Sequence, residues 1–426
     1  MIRIAARAPG AVVAAARTVR KGFLCHGSSV LSPQPSRFYT NGGPIADPVA
    51  LEMINYALSH ARSLKSDDSH AQGQLVLEQC LSAHPEDNSG GMALLAMSTL
   101  FSERGNFNDA IERLQRIQEL PLSSMGIRVL ALEALVGIHL ELGHDDTSSV
   151  LADKCLKILE EMGPEADGES TSKFLRARAK AVKGLIEMVK GNLESAEFFF
   201  QGCQDDRGCT GNVALSYGEL LHAMRNFSTA KELYQKVIQE ISENKDFSNP
   251  YASGACNMSS DAVLVAANCA LGQLEVQLGN FEDAQEILTK ALTKTEEHFG
   301  SFHPKVGVVL ISLALMFKHK ARLEHSSSLL IQEGLYRRAI DLFKAPPLET
   351  ESAKEMVDRQ DIAALARGGY AEILCIQQNR RSEGEKMKRW AESAWGNQRL
   401  SLAEALDFSE SSSKVTIIDA RISRVL

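Results

Sequence analysis

A short turn followed by the start of a helix recurs along the chain and constrains its fold more than any other feature. The four copies read Gly-Asn-Phe-Asn-Asp-Ala at 105–110, Gly-Asn-Leu-Glu-Ser-Ala at 191–196, Arg-Asn-Phe-Ser-Thr-Ala at 225–230 and Gly-Asn-Phe-Glu-Asp-Ala at 279–284. Glycine and asparagine tolerate the backbone of a tight turn, so each copy ends one helix and begins another. The second and third copies lie 34 residues apart. Recurrence at such a period predicts an array of helical hairpins rather than one isolated hairpin.

The packing of one hairpin can be read from residues 271–292. Gly272 stands where a side chain would hold two helices apart. After the turn, Phe281, Ala284, Leu288 and Ala291 recur at spacings of three and four, which places them on one face of a second helix. Helix, tight turn and helix, with small residues at the contact, resembles one tetratricopeptide repeat. The resemblance implies an all-α fold, a right-handed superhelical solenoid of helical hairpins.

This resemblance divides most of the chain into three parts. Residues 47–343 are predicted to hold about seven repeats, some of them degenerate. Residues 344–405 are predicted to form a last helical pair that caps the array. Residues 406–426 are interpreted as a polar C-terminal tail with a short apolar run. The third and fourth copies lie 54 residues apart, which is 20 more than the 34-residue period, and the insert within 242–260 is interpreted as an exposed loop.

Residues 1–39 belong to a different class of sequence. Residues 1–37 carry six Arg or Lys and no Asp or Glu, with Ile, Val and Ala between the charges. Such an N-terminus resembles a mitochondrial presequence. Arg-Phe-Tyr-Thr at 37–40 resembles a matrix-processing site, with cleavage between Tyr39 and Thr40. The resemblance implies a mitochondrial protein, most naturally of the matrix; a chloroplast transit peptide and a disordered basic tail are the alternatives.

The charge of the chain argues against nucleic acid as a partner. The net charge is −8, and loss of the six presequence cations would leave about −14. A body this acidic repels phosphate backbones unless one face is basic. The one dense basic cluster, within 380–389, is interrupted by Glu383 and Glu385 and is typical of a solvated helix face. The chain also lacks an uninterrupted run of about eighteen apolar residues, so no membrane-spanning helix is expected.

A second resemblance covers the region after the fourth copy of the turn. Glu-His-Phe-Gly-Ser-Phe-His-Pro at 297–304 precedes an apolar stretch, and Gly-Leu-Tyr-Arg-Arg-Ala follows at 334–339. This region is similar to the longer repeats of kinesin light chains. The first helix of those repeats carries an Asn that grips peptide backbone, whereas Ser312 stands at the matching place here. The resemblance therefore does not extend to cargo binding of that kind.

The sequence offers no motif for catalysis, a metal or a cofactor. Of eight cysteines, one lies in the presequence, and Cys80, Cys155 and Cys203 fall at the small buried position of a second helix. There is no Cys-x-x-Cys, His-Glu-x-x-His, Gly-x-Ser-x-Gly or Gly-x-x-x-x-Gly-Lys sequence. We expect a protein without enzymatic activity, bound metal or cofactor.

Arrays of helical hairpins expose their first helices along a concave groove, which binds a peptide or a helix of another protein. The candidate groove residues lie on the first helices of four repeats: Arg178, Leu185, Glu219, His222, Gln273, Gln277, Leu315, Lys318 and His319. This mixed set lacks the basic pattern of the clamp that holds the acidic C-termini of chaperones. A helix or an extended apolar segment of a protein partner is the expected ligand.

These observations predict a non-catalytic mitochondrial scaffold or adaptor, acting in the assembly or maintenance of a matrix or inner-membrane complex. Two other functions stay open: an organellar RNA-binding helical-repeat protein, and a regulatory subunit of an organellar enzyme. Self-association and the face that binds also stay open.

Overall fold

The computed structural model describes residues 46–161, 169–203, 209–243, 255–346, 348, 359–407 and 414–426. Within them the chain forms seventeen α-helices and one two-stranded sheet. The predicted all-α class is confirmed. The presequence and its cleavage site between Tyr39 and Thr40 lie outside the described residues.

Consecutive helices pair into eight hairpins. They are α1 (Pro48–Leu64) with α2 (Asp67–Ala83), α3 (Asn88–Glu103) with α4 (Phe107–Glu119), α5 (Met125–Glu141) with α6 (Asp145–Glu161), α7 (Glu169–Val189) with α8 (Leu193–Phe200), α9 (Gly211–Ala223) with α10 (Phe227–Glu243), α11 (Ser260–Gln277) with α12 (Phe281–Phe299), α13 (Pro304–Leu323) with α14 (Leu329–Leu342), and α15 (Gln360–Ile376) with α16 (Arg381–Ala394). The short helix α17 (Leu402–Leu406) follows. Each odd-numbered helix from α1 to α13 also contacts the next odd-numbered helix, so the first helices of the hairpins form one continuous wall.

The recurring turn ends the first helix of a hairpin in the way its residues predict. Gly279 has a φ of +79°, in the left-handed region that glycine adopts without strain. The Gly279 amide donates to the Val276 carbonyl at 3.1 Å, and the Asn280 amide donates to the Glu275 carbonyl at 2.9 Å. These bonds satisfy carbonyl groups at the end of α11 and let Phe281 begin α12.

Small residues set the distance between the two helices of a hairpin. A methyl group on Gly272 would lie 2.6 Å from Leu288 Cγ, which is closer than van der Waals contact. On α12 the buried face consists of Phe281, Ala284, Leu288, Ala291 and Thr295, whereas α11 is buried around most of its surface. The first helices are therefore enclosed by their neighbours, and the second helices keep one face in solvent.

The array turns back on itself, so that its first hairpin contacts its sixth. Lys65, at the end of α1, donates to the Glu296 and Glu297 carbonyls of α12. Arg62 lies 2.6 Å from Glu103 and 3.4 Å from Asp261 on α11. The hairpins between these contacts thus surround an interior.

The end of the insert within 242–260 occupies one part of that interior. Its 3-10 turn, Cys256–Met258, contacts α3, α5 and α11. The Cys256 amide donates to Thr99 Oγ1 at 3.0 Å. The expectation of an exposed loop does not hold for residues 255–258, because their apolar groups pack between first helices; residues 244–254 lie outside the described part of the chain.

Residues 415–426, here called the C-terminal hairpin, occupy another part of the interior. All twelve are buried. Strand β1 (Ile418–Asp419) pairs antiparallel with β2 (Arg424–Val425). The sequence predicts a polar tail at 406–426, but Val, Ile and Leu make up half of the C-terminal hairpin, and its charged side chains pair with groups on the helices.

Gly272→Ala tests whether close contact limits this packing. The added methyl group meets Leu288, so we expect the free energy of unfolding to fall by about 1–2 kcal/mol despite the better helix propensity of Ala. Gly334→Ala on α14 is the matched control, since a methyl group there would have no atom of a neighbouring element within 4 Å. It should stabilise the protein by up to about 1 kcal/mol. Urea unfolding followed by circular dichroism measures both, and equal effects would contradict the close-contact argument.

Candidate functional site

The groove lined by the first helices is filled by the C-terminal hairpin. Contacts to it come from α5, α9, α11, α13 and α15, and they include both backbone and side-chain groups of the C-terminal hairpin. The groove therefore shows, in one chain, how these helices hold a short β segment.

Gln273 on α11 binds the backbone of the C-terminal hairpin. The Ile418 amide donates to Gln273 Oε1 at 2.7 Å, and Gln273 Nε2 donates to the Ile418 carbonyl at 3.0 Å. Gln273 Nε2 also donates to the Cys269 carbonyl at 3.1 Å, which holds the amide in place. This pair of bonds resembles the pairing of one strand with another and does not depend on the side chain that the bound segment carries.

Arg421 of the C-terminal hairpin enters a polar pocket on α9, here called the first arginine socket. It consists of Asn212, Ser216 and Glu219, spaced four and three residues apart on one helix face. Arg421 donates to Asn212 and Glu219, and to Ser216 Oγ at 3.0 Å. It also donates to Asp419 Oδ2 at 2.8 Å within the C-terminal hairpin. No part of the Arg421 side chain is exposed.

The first arginine socket is held in place by the helices before it. Asn212 Nδ2 donates to Glu133 Oε1 at 2.7 Å, and Arg178 on α7 donates from Nε to Glu133 Oε2 at 2.9 Å. A network of hydrogen bonds thus joins α5, α7 and α9 to the C-terminal hairpin. Such networks fix geometry because each buried polar group needs its partner.

Burial and charge act against each other in this socket. Burial lowers the pKa of Arg421, but the carboxylates of Asp419 and Glu219 outweigh it and raise that pKa above its ordinary value. Burial raises the pKa of Glu219, and the neighbouring Asp419 raises it further, whereas Arg421 opposes both. Where two buried carboxylates share one cation, burial and mutual repulsion raise a carboxyl pKa, and the pair of negative charges raises the pKa of the cation.

Arg424 enters a second arginine socket, formed by Asp145, Asp361 and the Leu140 carbonyl. Arg424 Nε donates to Asp361 Oδ2 at 2.8 Å, and its two Nη atoms donate to Asp145 at 2.8 and 3.1 Å. Arg424 Nη1 also donates to the Leu140 carbonyl at 2.9 Å. The fork of hydrogen bonds to Asp145 is specific to a guanidinium group.

Lys305 and Glu141 hold the turn between the two strands. Lys305 Nζ donates to the Ala420 and Arg421 carbonyls at 3.1 and 2.6 Å and lies 3.3 Å from Glu141 Oε2. Ser423 Oγ donates to Glu141 Oε1 at 3.2 Å. Burial would raise the pKa of Glu141, but the charges of Lys305 and Arg359 outweigh it and lower the pKa to about 2.

The predicted groove residues fall into three groups. Glu219 and Gln273 contact the C-terminal hairpin, and Lys318 Nζ donates to the Leu406 carbonyl of α17 at 2.8 Å. The buried groups that take part in packing within and between hairpins are Arg178, Leu185, His222, Leu315 and His319. Gln277 is half-buried at the end of α11. That these residues bind a partner stays a prediction.

Four residues that contact the C-terminal hairpin are not among the predicted groove residues: Asn212, Ser216, Glu141 and Lys305. The sequence of α9 could have predicted the first arginine socket, because three polar residues recur at helical spacing along a helix that is otherwise mostly apolar. No comparable signal marks Lys305, which follows the helix-starting Pro304.

The basic cluster at 380–389 gives weaker grounds for a binding site than the groove does. The cations of the basic cluster at 380–389 include Arg380, Arg381 and Lys388, which pair with Glu333, Glu385 and Glu392. In the described part of the chain no helix is both long and apolar enough to cross a membrane. Nor do the described side chains include a cluster of His, Cys, Asp or Glu suited to a metal ion.

Comparison with known proteins identifies the repeat. Residues 269–305, which span the second half of α11, all of α12 and the start of α13, match the family model of the tetratricopeptide repeat. Among solved structures, the chain is similar to one described as the crystal structure of BtubC (BKLC) from P. vanneervenii. The identity is 13%, the match covers 59% of this chain and 90% of that chain, and the TM-score is 0.40. No curated protein has a sequence that matches this chain.

Arg421→Ala tests the first arginine socket. The substitution leaves Glu219 and Asp419 buried without their cation, so we expect the free energy of unfolding to fall by about 3–5 kcal/mol. The control is Arg381→Ala on α16, whose side chain is 71% exposed, and which should leave stability unchanged within error. Urea unfolding measures both variants. An Arg421→Ala protein as stable as the wild type would show that the C-terminal hairpin does not occupy this socket.

The lowered pKa of Glu141 predicts that part of the free energy of unfolding is lost in acid. This pKa is lowered from 4.5 to about 2 in the folded chain. The folded state therefore binds this proton less readily, and the stabilisation is complete above about pH 5 and is lost as the pH falls towards 2. Between pH 6 and pH 3 we expect the wild type to lose about 2 kcal/mol more than Glu141→Gln does. Unfolding free energies measured across this range would contradict the argument if both proteins had the same slope.

Proposed function

We propose that this protein is a mitochondrial scaffold or adaptor without catalytic activity, which binds protein partners in the assembly or maintenance of a matrix or inner-membrane complex. The tetratricopeptide repeat and the continuous wall of first helices support a role in protein–protein interaction.

The observation that carries this proposal is the way in which the groove holds the C-terminal hairpin. Gln273 binds backbone, Lys305 binds two turn carbonyls, and α9 binds an arginine side chain. Backbone bonds combined with side-chain pockets are how a groove recognises a segment of another protein. A groove equipped in this way suits a partner segment, supplied in cis or in trans.

The N-terminal sequence supports the mitochondrial location. Six cations without an acid in residues 1–37, followed by Arg-Phe-Tyr-Thr at 37–40, are what a cleaved presequence contains. Cleavage before Thr40 would leave a mature chain that begins seven residues before the N-cap of α1, Asp47.

The charge distribution favours a protein over RNA as the partner. The chain without its presequence carries about −14. In the groove, Glu133 and Glu141 pair with cations of the array itself, whereas Asp145, Glu219 and Asp361 pair with those of the C-terminal hairpin. RNA-binding arrays need a basic groove to neutralise phosphates.

The experiment is crosslinking in isolated mitochondria from cells that express a tagged chain. The affinity tag belongs between α6 and α7, within residues 162–168, because Leu426 is buried and a C-terminal tag would displace the C-terminal hairpin. Mass spectrometry of the captured material should identify a reproducible protein complex, and N-terminal sequencing should give a mature start at Thr40.

The matched control replaces Arg3, Arg7, Arg17 and Arg20 by Ala, which removes the basic face and should leave the protein uncut and outside mitochondria. Mitochondrial protein with no reproducible partner would refute the scaffold. Captured transcripts in place of proteins would favour the RNA-binding function, and an uncut cytosolic wild type would refute the location.

A further inference from the structure

The groove and the C-terminal hairpin have complementary charges. Three acidic groups of the groove, Asp145, Glu219 and Asp361, take their cations from the C-terminal hairpin. By contrast, Glu133 pairs with Arg178 of the array itself. A groove without its hairpin would thus present an acidic interior with two unfilled arginine sockets.

The two sockets define the spacing of the ligand they accept. Arg421 lies in the turn and Arg424, three residues later, begins strand β2; Asp419 precedes the first arginine by two residues. Asp419 completes the first socket by accepting from the Arg421 amide at 2.7 Å and from Nε at 3.2 Å. The bound pattern is therefore Asp-x-Arg-x-x-Arg, with aliphatic residues before and after it.

One acceptor atom of the first arginine socket has no donor among the described residues. Glu219 is fully buried, and its Oε1 atom accepts no hydrogen bond from the described residues, although Oε2 accepts from Arg421. A buried carboxylate oxygen without a donor costs free energy in any folded protein. Removal of Arg421 would take away the donor to Oε2 as well, so the emptied socket favours a segment that brings a cation.

We propose that the groove is an arginine-directed peptide site, with the C-terminal hairpin as its resident ligand and a partner segment of Asp-x-Arg-x-x-Arg chemistry as its competitor. The proposal rests on the proposed function only in taking the competitor from a protein. Backbone bonds from Gln273 and Lys305 hold any such segment, and the two sockets select arginine.

The test starts from the intact, folded chain. A site for a specific protease is placed within residues 408–413, between α17 and the C-terminal hairpin, and the folded protein is cut there. A fluorescent peptide of residues 414–426 is then added in excess. Exchange of the resident fragment is followed by fluorescence anisotropy and by native mass spectrometry, and circular dichroism reports the helical content throughout.

The peptide of native sequence should replace the resident fragment. A peptide with Arg421→Ala and Arg424→Ala should compete at least about 100-fold less well, because both acidic sockets stay unpaired. Arg421→Lys with Arg424→Lys should fall between the two, since Lys cannot form the forked bonds. The matched control peptide carries Lys414→Ala, an exposed position outside both sockets. Its amine donates to the Arg399 carbonyl at 2.8 Å and lies 3.2 Å from Glu404, and because exposed contacts of this kind contribute little, this peptide should compete within about 5-fold of the native one.

Three results would overturn the proposal. Equal competition by the double-Ala peptide would remove the arginine selectivity. Absence of exchange over days in excess peptide, or loss of helix when the fragment leaves, would make the C-terminal hairpin part of the core rather than a ligand. Selective exchange without any captured complex in the crosslinking experiment would refute the scaffold function and leave the arginine site intact.

Discussion

Arg421 is a fully buried cation, and the arrangement of the interior depends on its partners. A guanidinium group removed from water is tolerated only where its hydrogen bonds are met by polar and charged groups. Asp419 supplies one carboxylate from the same hairpin and Glu219 another from α9, while Asn212 links the site to α5. Buried pairs of this kind contribute little net stability but exclude other arrangements, because each misplaced partner leaves an uncompensated charge. The ionic contacts therefore fix where the C-terminal hairpin lies.

Because its interior is filled, this array is held together by long-range contacts as well as by contacts between neighbouring repeats. In an open solenoid each repeat contacts only its neighbours, so stability is a sum of local terms. Here Arg424 contacts Asp145, which is 279 residues away, and Lys65 contacts the Glu297 carbonyl across 232 residues. Such contacts close long loops of chain before they contribute free energy, which slows folding. They also couple distant hairpins, so loss of the C-terminal hairpin is felt in α5, α9, α11, α13 and α15 together.

The sequence predicted what is local and missed what is long-range. The turn at Gly279 and Asn280 placed the boundary between α11 and α12 correctly, because the break depends on backbone preferences of adjacent residues. Glu219 and Gln273 were predicted to line the groove because they lie on first helices, and both contact the C-terminal hairpin there. The prediction missed that the groove is filled, since nothing in the two-residue strands Ile418–Asp419 and Arg424–Val425 marks them as buried. Arginine is rarely buried, so Arg421 and Arg424 read as solvent-facing until their partners, more than 200 residues away for Glu219 and Asp145, are known.

The resident hairpin sets the affinity that a competing partner must have. A segment tethered by a short linker has an effective concentration on the order of 1 mM at its own site. If its intrinsic dissociation constant were about 1 µM, a competitor of equal intrinsic affinity would bind about 1,000-fold more weakly to the intact chain. A partner overcomes this by adding contacts outside the groove or by arriving at high local concentration in an assembly. Single soluble peptides are thus poor probes of the intact chain, whereas a large partner that engages the groove and the outer helices together meets the requirement.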